Sequence, residues 1–410
     1  MIHTYRHILD FLKEKKYKYL LGIIILIIVD GLQLITPQIL KAFTNAITNS
    51  TLVKETLWIY PTMILIVATG IAISRYIWRI LIITSARELE FWLRNKLFKH
   101  IESLDQSFFN KNKTGDLMAH ATNDLNAVRM AFGPGIVMVV DAVFLSVMTI
   151  IIMATNLNLK LTLLALLPMP IITITVGIIG KIIQQRFKFV QESFSNLSEK
   201  VQESFSGIRV IKSFSQEKYD LEDFNSYNMA NLKSNMRLVK LYGAMHPLIT
   251  LISTISLLII LTYGSKLVIN QTMTLGDFVA FISYIEILTW PMMAIGFVVN
   301  LLQRGIASMK RINVLLDSRS SIMDSAEETI ENTDIEFRNL TFKYPGTNIN
   351  ILDSINLTIP SGTSIGILGR TGSGKTTMIN LLTRFYQVEK NMIFIGNKDF
   401  FCRVRQEIFI

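Results

Sequence analysis

The sequence predicts an α-helical membrane domain of six spans, followed by the opening part of an α/β phosphate-binding domain. Three observations predict it. Half of the 410 residues are hydrophobic and only 18% are charged, with a mean hydropathy of +0.40; soluble domains carry roughly 25% charged residues. Six apolar stretches are long enough to cross a hydrocarbon core of about 30 Å as helices. A glycine-rich motif with a lysine then appears at residues 369–376, after the composition has turned polar.

The six stretches run over residues 18–40, 57–83, 134–154, 159–180, 247–269 and 278–302. Residues 155–158 are too few for anything but a tight helical hairpin between the third and fourth. The first is too long for a cleaved leader and no small-residue cleavage site follows it. Ahead of it, Ile8, Leu9, Phe11 and Leu12 alternate with Arg6, Lys13, Lys15 and Lys16, which reads as an interfacial helix on the inner leaflet. Residues 85–133 and 181–246 carry apolar residues at helical spacing, as in Leu89, Trp92, Leu93, Leu97 and Ile101. They read as membrane helices continued into the cytoplasm, since unstructured connections of that length are uncommon.

Charge position sets the topology. With a cytoplasmic N-terminus the inner segments hold 22 Lys and Arg residues; the outer loops hold Lys41, Lys54, Lys160 and Lys266. That asymmetry fixes both termini inside. It also accounts for most of the net charge of +10, which removes the case for a nucleic-acid partner. The single cysteine, Cys402, excludes an intrachain disulfide and a cysteine zinc site, and the five histidines lack ligand spacing. Within the spans, Asp30, Asp141 and Glu286, with Arg75 and Arg79, are candidates for substrate contact. Carboxylates lining an inner cavity would favour cationic amphipathic compounds, whereas interhelical hydrogen bonding would make them structural.

A membrane domain over residues 1–316, a Ser/Asp/Glu-rich linker over 317–333 and a nucleotide-binding segment over 334–410 follow from the shift in composition. Short strands are expected at 335–337, 340–342 and 355–359, with turns at Tyr344-Pro345-Gly346 and Pro360-Ser361-Gly362, and a buried strand at 364–368. That strand leads into Gly369-Arg370-Thr371-Gly372-Ser373-Gly374-Lys375-Thr376, which matches G-x-x-x-x-G-K-[ST] at every fixed position. Glycines let successive backbone N–H groups curl around a phosphate, Lys375 supplies a point charge for the β- and γ-phosphates, and Thr376 offers a hydroxyl to magnesium. Thr377 opens a helix through about residue 384 whose positive end faces the same phosphates. ATP and Mg2+ are the cofactors this loop implies.

Six spans with long cytoplasmic helices before such a loop resemble a half-transporter of the bacterial ABC exporter family, the multidrug and lipid exporters. Phe108-Phe109, residues 114–118 (TGDLM) and Thr122-Asn123-Asp124 resemble that family's first intracellular loop; Gln202-Glu203-Ser204 and residues 207–212 (GIRVIK) resemble its second. The resemblance implies a type I exporter-like membrane domain in the cell membrane. It implies dimerisation with a second half-transporter, identical or not, and export of hydrophobic or amphipathic drug- or lipid-like substrates. It places Tyr344 on the adenine, Gly369 to Thr377 around the triphosphate, and loops near Gly115 and residues 214–219 as coupling elements. Asn391 stands where the family usually has glycine, and Asn tolerates the left-handed turn required there.

Residues 334–410 number only 77, and the family's Q-loop glutamine, signature segment, Asp-Glu strand and switch histidine are absent from them. From Phe401 the resemblance stops, and Gln406 has no strand before it. No catalytic residue is assigned within these 410 residues: phosphate is cradled but nothing orients the attacking water. The alternative reading is therefore a truncated, non-hydrolysing subunit or remnant that at most binds nucleotide or a partner.

Overall fold

The computed structural model describes residues 2–53, 55–320, 322, 333–396 and 398–399. Most of the expected linker (323–332) and the tail with Cys402 and Gln406 lie outside the described residues, as does Lys54. Among the described residues six helices are long and apolar enough to cross a membrane: Thr4–Thr48, Ile59–Glu102, Thr114–Asn156, Leu159–Ser206, Glu217–Ile269 and Leu275–Leu316. Five contain one of the apolar stretches whole and the second contains all but residues 57–58 of its own; the helices run on past the apolar part as the spacing predicts.

The helical elements are α1 (Leu9–Thr48), α2 (Ile59–Glu102), α3 (Gln106–Lys111), α4 (Thr114–Ala119), α5 (Leu125–Phe132), α6 (Pro134–Val140), α7 (Ser146–Asn156) and α8 (Leu159–Leu166). They continue with α9 (Met169–Ser206), α10 (Ile208–Ser213), α11 (Glu217–Ile259), α12 (Ser265–Ile269) and α13 (Leu275–Leu316). Wide π-turns at His120–Asp124, Asp141–Leu145 and Ile260–Gly264 interrupt the third and fifth long helices without ending them. The hairpin after the third span is tight: Asn158 caps α8, its Oδ1 accepting from the Leu161 N–H at 3.0 Å.

One expectation is corrected at the N-terminus. Residues Ile2–Ile8 form a 3₁₀ turn that passes directly into α1, so no separate interfacial helix precedes the first span. The reason lies in packing: Ile8 and Phe11 are buried instead of facing a leaflet. Lys15 and Lys18 both reach Glu88 on α2, at 3.2 and 3.0 Å. Their hydrogen bonds, Lys18 foremost, hold the Glu88 carboxyl below the usual carboxylate range.

The chain divides into two compact units. The larger comprises Leu9–Leu89 and Ala127–Ile306, and its elements among the described residues are all helical. Its core gathers Leu145, Met153, Met169, Ile172, Ile260, Phe281 and Leu288. In lipid the hydrophobic effect no longer drives helices together, so close backbone approach and polar ties carry more of the specificity. Gly296 supplies the approach: a Cβ there would lie 2.9 Å from Val176 Cγ1. The ties join α1 to α13: Tyr284 donates to the Leu34 carbonyl at 3.0 Å and accepts from Gln38 at 2.7 Å, and Lys41 pairs with Asp277 at 2.6 Å. Along the cytoplasmic parts of α9 and α11, Lys200 bonds Asp223 and Asp220 at 2.7 and 3.0 Å. Those bonds keep Lys200 protonated beyond its ordinary range.

The smaller unit comprises Met1–Ile8, Glu90–Asn126 and Ala307–Ile410. Its described sheet has the order β2-β1-β3-β4, with all pairs antiparallel: β1 Ile335–Phe342, β2 Leu352–Ile359, β3 Ile393–Ile395 and β4 Lys398–Asp399. The two short runs expected before Tyr344 are a single strand, kinked where Asn339 takes a positive φ of 48°. Helix α14 (Lys375–Leu382) buries Met378 and Leu381 against Phe337, Leu340, Ile393 and Ile395. Asn391 adopts the left-handed conformation expected of it, at φ 67°. The strand expected at 364–368 does not form. Ile365, Ile367 and Leu368 are 48%, 37% and 97% exposed. A strand exists only with a ladder partner, and the four described strands pair solely with one another.

Candidate functional site

The site grows from the loop between residue 369 and α14. Gly372 and Gly374 have φ of 86° and 87°, a region closed to most side chains. At Gly374 the space is closed as well, because a Cβ would meet Leu352 Cδ2 at 2.7 Å. Gly374 is also the residue preceding α14, so the loop delivers its backbone to the helix's positive end. Lys375 folds back over the loop and donates to the carbonyls of Gly369 and Arg370 at 2.7 and 2.8 Å. Its ammonium therefore stands in the mouth of the cradle, held by two exposed carbonyls that water can satisfy when an anion draws it away.

A cavity of about 430 Å3 is lined by Tyr344, Ile351 and Thr371 through Thr377. Seven of the nine expected loop residues line it; Gly369 and Arg370 take part through their carbonyls. Thr376 is exposed on the first turn of α14, whereas Thr377 is buried and shares a hydrogen bond of 2.9 Å with the Tyr344 hydroxyl. The ring of Tyr344 meets Phe342 and Tyr386 edge-on, with centroids 5.2 and 5.0 Å away. The donor set suits a triphosphate: a glycine-built backbone nest, a helix N-terminus and one ammonium. It suits magnesium through the hard oxygen of Thr376, the other ligands being phosphate oxygens and water. Among the described residues no cluster of three His, Cys, Asp or Glu side chains offers a competing metal site.

Tyr386 escaped sequence reasoning. It meets Tyr344 edge-on and its hydroxyl accepts from Asn110 Nδ2 at 2.8 Å, within the same compact unit. The Phe385-Tyr386 pair just after α14 was the available signal.

Of the ionisable residues of the spans, Asp30, Asp141 and Arg75 lie within electrostatic reach of one another. Asp30 is 1% exposed, whereas Glu286 is open on the surface of this chain, as are Trp290, Arg75 and Arg79. Asp141 is half-buried and accepts a hydrogen bond from Trp290.

A second polar cluster lies in the smaller unit. Asp124, 7% exposed, accepts from His120 Nδ1 at 2.6 Å, Ser308 Oγ at 2.8 Å, and Arg311 Nε at 3.0 Å and Nη2. Burial alone would raise its pKa, but the bonds from Arg311, His120 and Ser308 outweigh that and hold it below the usual range. A depressed carboxylate stabilises the fold above its unfolded pKa, and the contribution is lost as pH falls through the folded value. Thermal unfolding of Asp124→Asn and native protein should therefore differ at neutral pH and converge only in strong acid. A gap that is unchanged across that acid range would contradict this.

The chain was compared with known proteins. Residues 19–292 match the family described as "ABC transporter transmembrane region", and residues 352–408 match the family described as "ABC transporter", which corrects the expectation that the resemblance stops at Phe401. The chain is 34% identical to the probable multidrug resistance ABC transporter ATP-binding/permease protein YheI of Bacillus subtilis, over 92% of its own length and 65% of that protein's. It is 34% identical to the multidrug resistance-like ATP-binding protein MdlA of Buchnera aphidicola, over 95% of the chain and 67% of the relative. An ATP-dependent lipid A-core flippase of Syntrophus aciditrophicus is 29% identical over 75% of the chain and 51% of its own length. The chain spans about two thirds of the length of the first two relatives.

Proposed function

Because this chain belongs to the ABC transporter family, we propose that it is a half-transporter of an exporter that binds MgATP and moves hydrophobic or amphipathic compounds outward across the cell membrane. The observation that carries the reading is the conjunction, in one chain, of six spans with a phosphate cradle built around Lys375. Residues 1–316 form the membrane domain in this reading, 317–333 the linker and 334–410 the nucleotide-binding portion. Tyr344 stacks on the adenine, residues 369–377 hold the phosphates and Thr376 touches magnesium. The half functions as a dimer with a second half, identical or related. Drug- or lipid-like substrates are supported by the names of the relatives, which are multidrug-resistance proteins and a lipid A-core flippase.

The test is ATP-driven uptake of hydrophobic dyes into inside-out membrane vesicles carrying the native protein. Uptake should require MgATP and disappear with Lys375→Ala. Identical uptake with and without the protein would sink the exporter reading.

Orientation is proposed from the 22-to-4 distribution of basic residues. In a Cys402→Ser background, an impermeant thiol reagent added to intact cells should label a cysteine placed at Asn49 and spare one placed at Gly115. The reverse labelling pattern overturns the topology.

A further inference from the structure

We propose, resting on the exporter reading above, that Asp124 is a positioning residue that makes the cytoplasmic extension of the third span and the last turns of α13 move as one body, coupling nucleotide-driven motion to transport.

The geometry is specific. Ser308 and Arg311 are three apart on one face of α13, and both bond a carboxylate almost 190 residues earlier in the chain. Arg311 also donates to Ser308 at 3.0 Å, so the three side chains close a ring. The carboxylate is presented by the His120–Asp124 π-turn, within which His120 Nδ1 donates to Asp124 four residues on. Because a carboxylate only accepts, His120 must carry its proton on Nδ1. π-turns occur disproportionately at functional sites.

An apolar stripe alone already fixes this end of α13: Met309, Ile312, Leu315 and Leu316 are all buried. The ion pair therefore adds direction more than adhesion. Sliding past Asp124 would break its three hydrogen bonds to α13 together. The same end is held from other sides: Asn313 Nδ2 donates to the Thr4 carbonyl at 2.7 Å, and Arg6 and His7 reach Asp317. These contacts gather on the last three turns of the helix that leads, through residues 317–333, to the strand-rich segment. A lever gripped there transmits displacement; a lever free to slide dissipates it.

Two substitutions open the clasp without burying a naked charge. Asp124→Asn keeps the shape and leaves Arg311, whose side chain is half-exposed, to water. Arg311→Gln leaves Asp124 with His120 and Ser308. The experiment compares both, their double variant and Asp124→Glu with the native protein by MgATP-induced hydrogen exchange, which needs nucleotide binding and not hydrolysis. In each single variant the concerted part of the response should fall about tenfold with MgATP affinity kept within about threefold. The double variant should be no worse than either single one, as for two halves of one interaction, and Asp124→Glu should restore most of the response. Affinity and response falling together, or additive losses, would mean a purely structural role.

Hydrogen exchange of residues 114–132 and 300–316 on adding MgATP gives a readout independent of transport. In the native protein both segments should respond together, and in Asp124→Asn only one should. Native protein that transports no dye sinks the exporter reading, and the clasp is then judged by exchange alone. Independent responses of the two segments in native protein overturn it.

Discussion

Replacing Lys375 with alanine is expected to weaken ATP binding by about one to two orders of magnitude while leaving the fold intact. Hydrogen bonds to charged groups contribute roughly 1.5–3 kcal/mol each, and 1.4 kcal/mol is a factor of ten in affinity. The fold is spared because the ammonium's present partners, the Gly369 and Arg370 carbonyls, are exposed and can turn to water. The effect should depend on the ligand: large for ATP and ADP, small for AMP, which has no β-phosphate to reach. Tyr344→Ala should show the opposite pattern, with a similar loss for all three nucleotides, because it removes the surface for the base. Tyr344→Phe should lose little, since only the bond to Thr377 goes and the ring remains braced by Phe342 and Tyr386. Titration of a fluorescent nucleotide analogue, competed by each nucleotide, reads all of this. Equal affinity of native and Lys375→Ala protein for ATP would show that the cradle holds no phosphate.

Features written in a few consecutive residues were legible in the sequence. The six spans are set by runs of apolar residues, and bilayer thickness fixes how long such runs must be. The hairpin at residues 155–158 followed from its shortness, and Asn391 from the one conformation a tight turn leaves open. The shape of the loop over residues 369–377 was legible because its glycines and lysine are contiguous and each has a separate physical reason. What failed depended on partners elsewhere in the chain. Residues 364–368 have the composition of a buried strand, but composition does not supply a neighbouring ladder, and the segment lies exposed. The amphipathic residues before α1 have the pattern of an interfacial helix, yet Ile8 and Phe11 found protein to pack on. Asp124 was visible as part of a family-like stretch, but its bonds to Ser308 and Arg311 span a separation that no periodicity reports.

The charged residues within the spans separate in the same way, and this leads to an expected difference between Glu286→Gln and Asp30→Asn. From sequence the two carboxylates look alike, each alone in an apolar stretch. In the structure Asp30 is enclosed by its own chain, one of its oxygens lacking a hydrogen-bond partner, while Glu286 lies open one helical turn before Trp290. A carboxylate and an indole four residues apart share a helix face, and together they suit a cationic amphiphile by charge and by cation–π attraction. A carboxylate facing plain hydrocarbon is costly, which argues that this face meets a second half or a water-filled cavity. Glu286→Gln should therefore cut export of cationic dyes about tenfold relative to neutral dyes of similar size, corresponding to ~1.4 kcal/mol of lost attraction. Asp30→Asn should change export of both kinds by the same factor, because no dye can reach an enclosed side chain. Transport of matched cationic and neutral dyes in vesicles decides it. Selective loss with Asp30→Asn and none with Glu286→Gln would place the recognition face on the other side of the helix pair, between α1 and its neighbours.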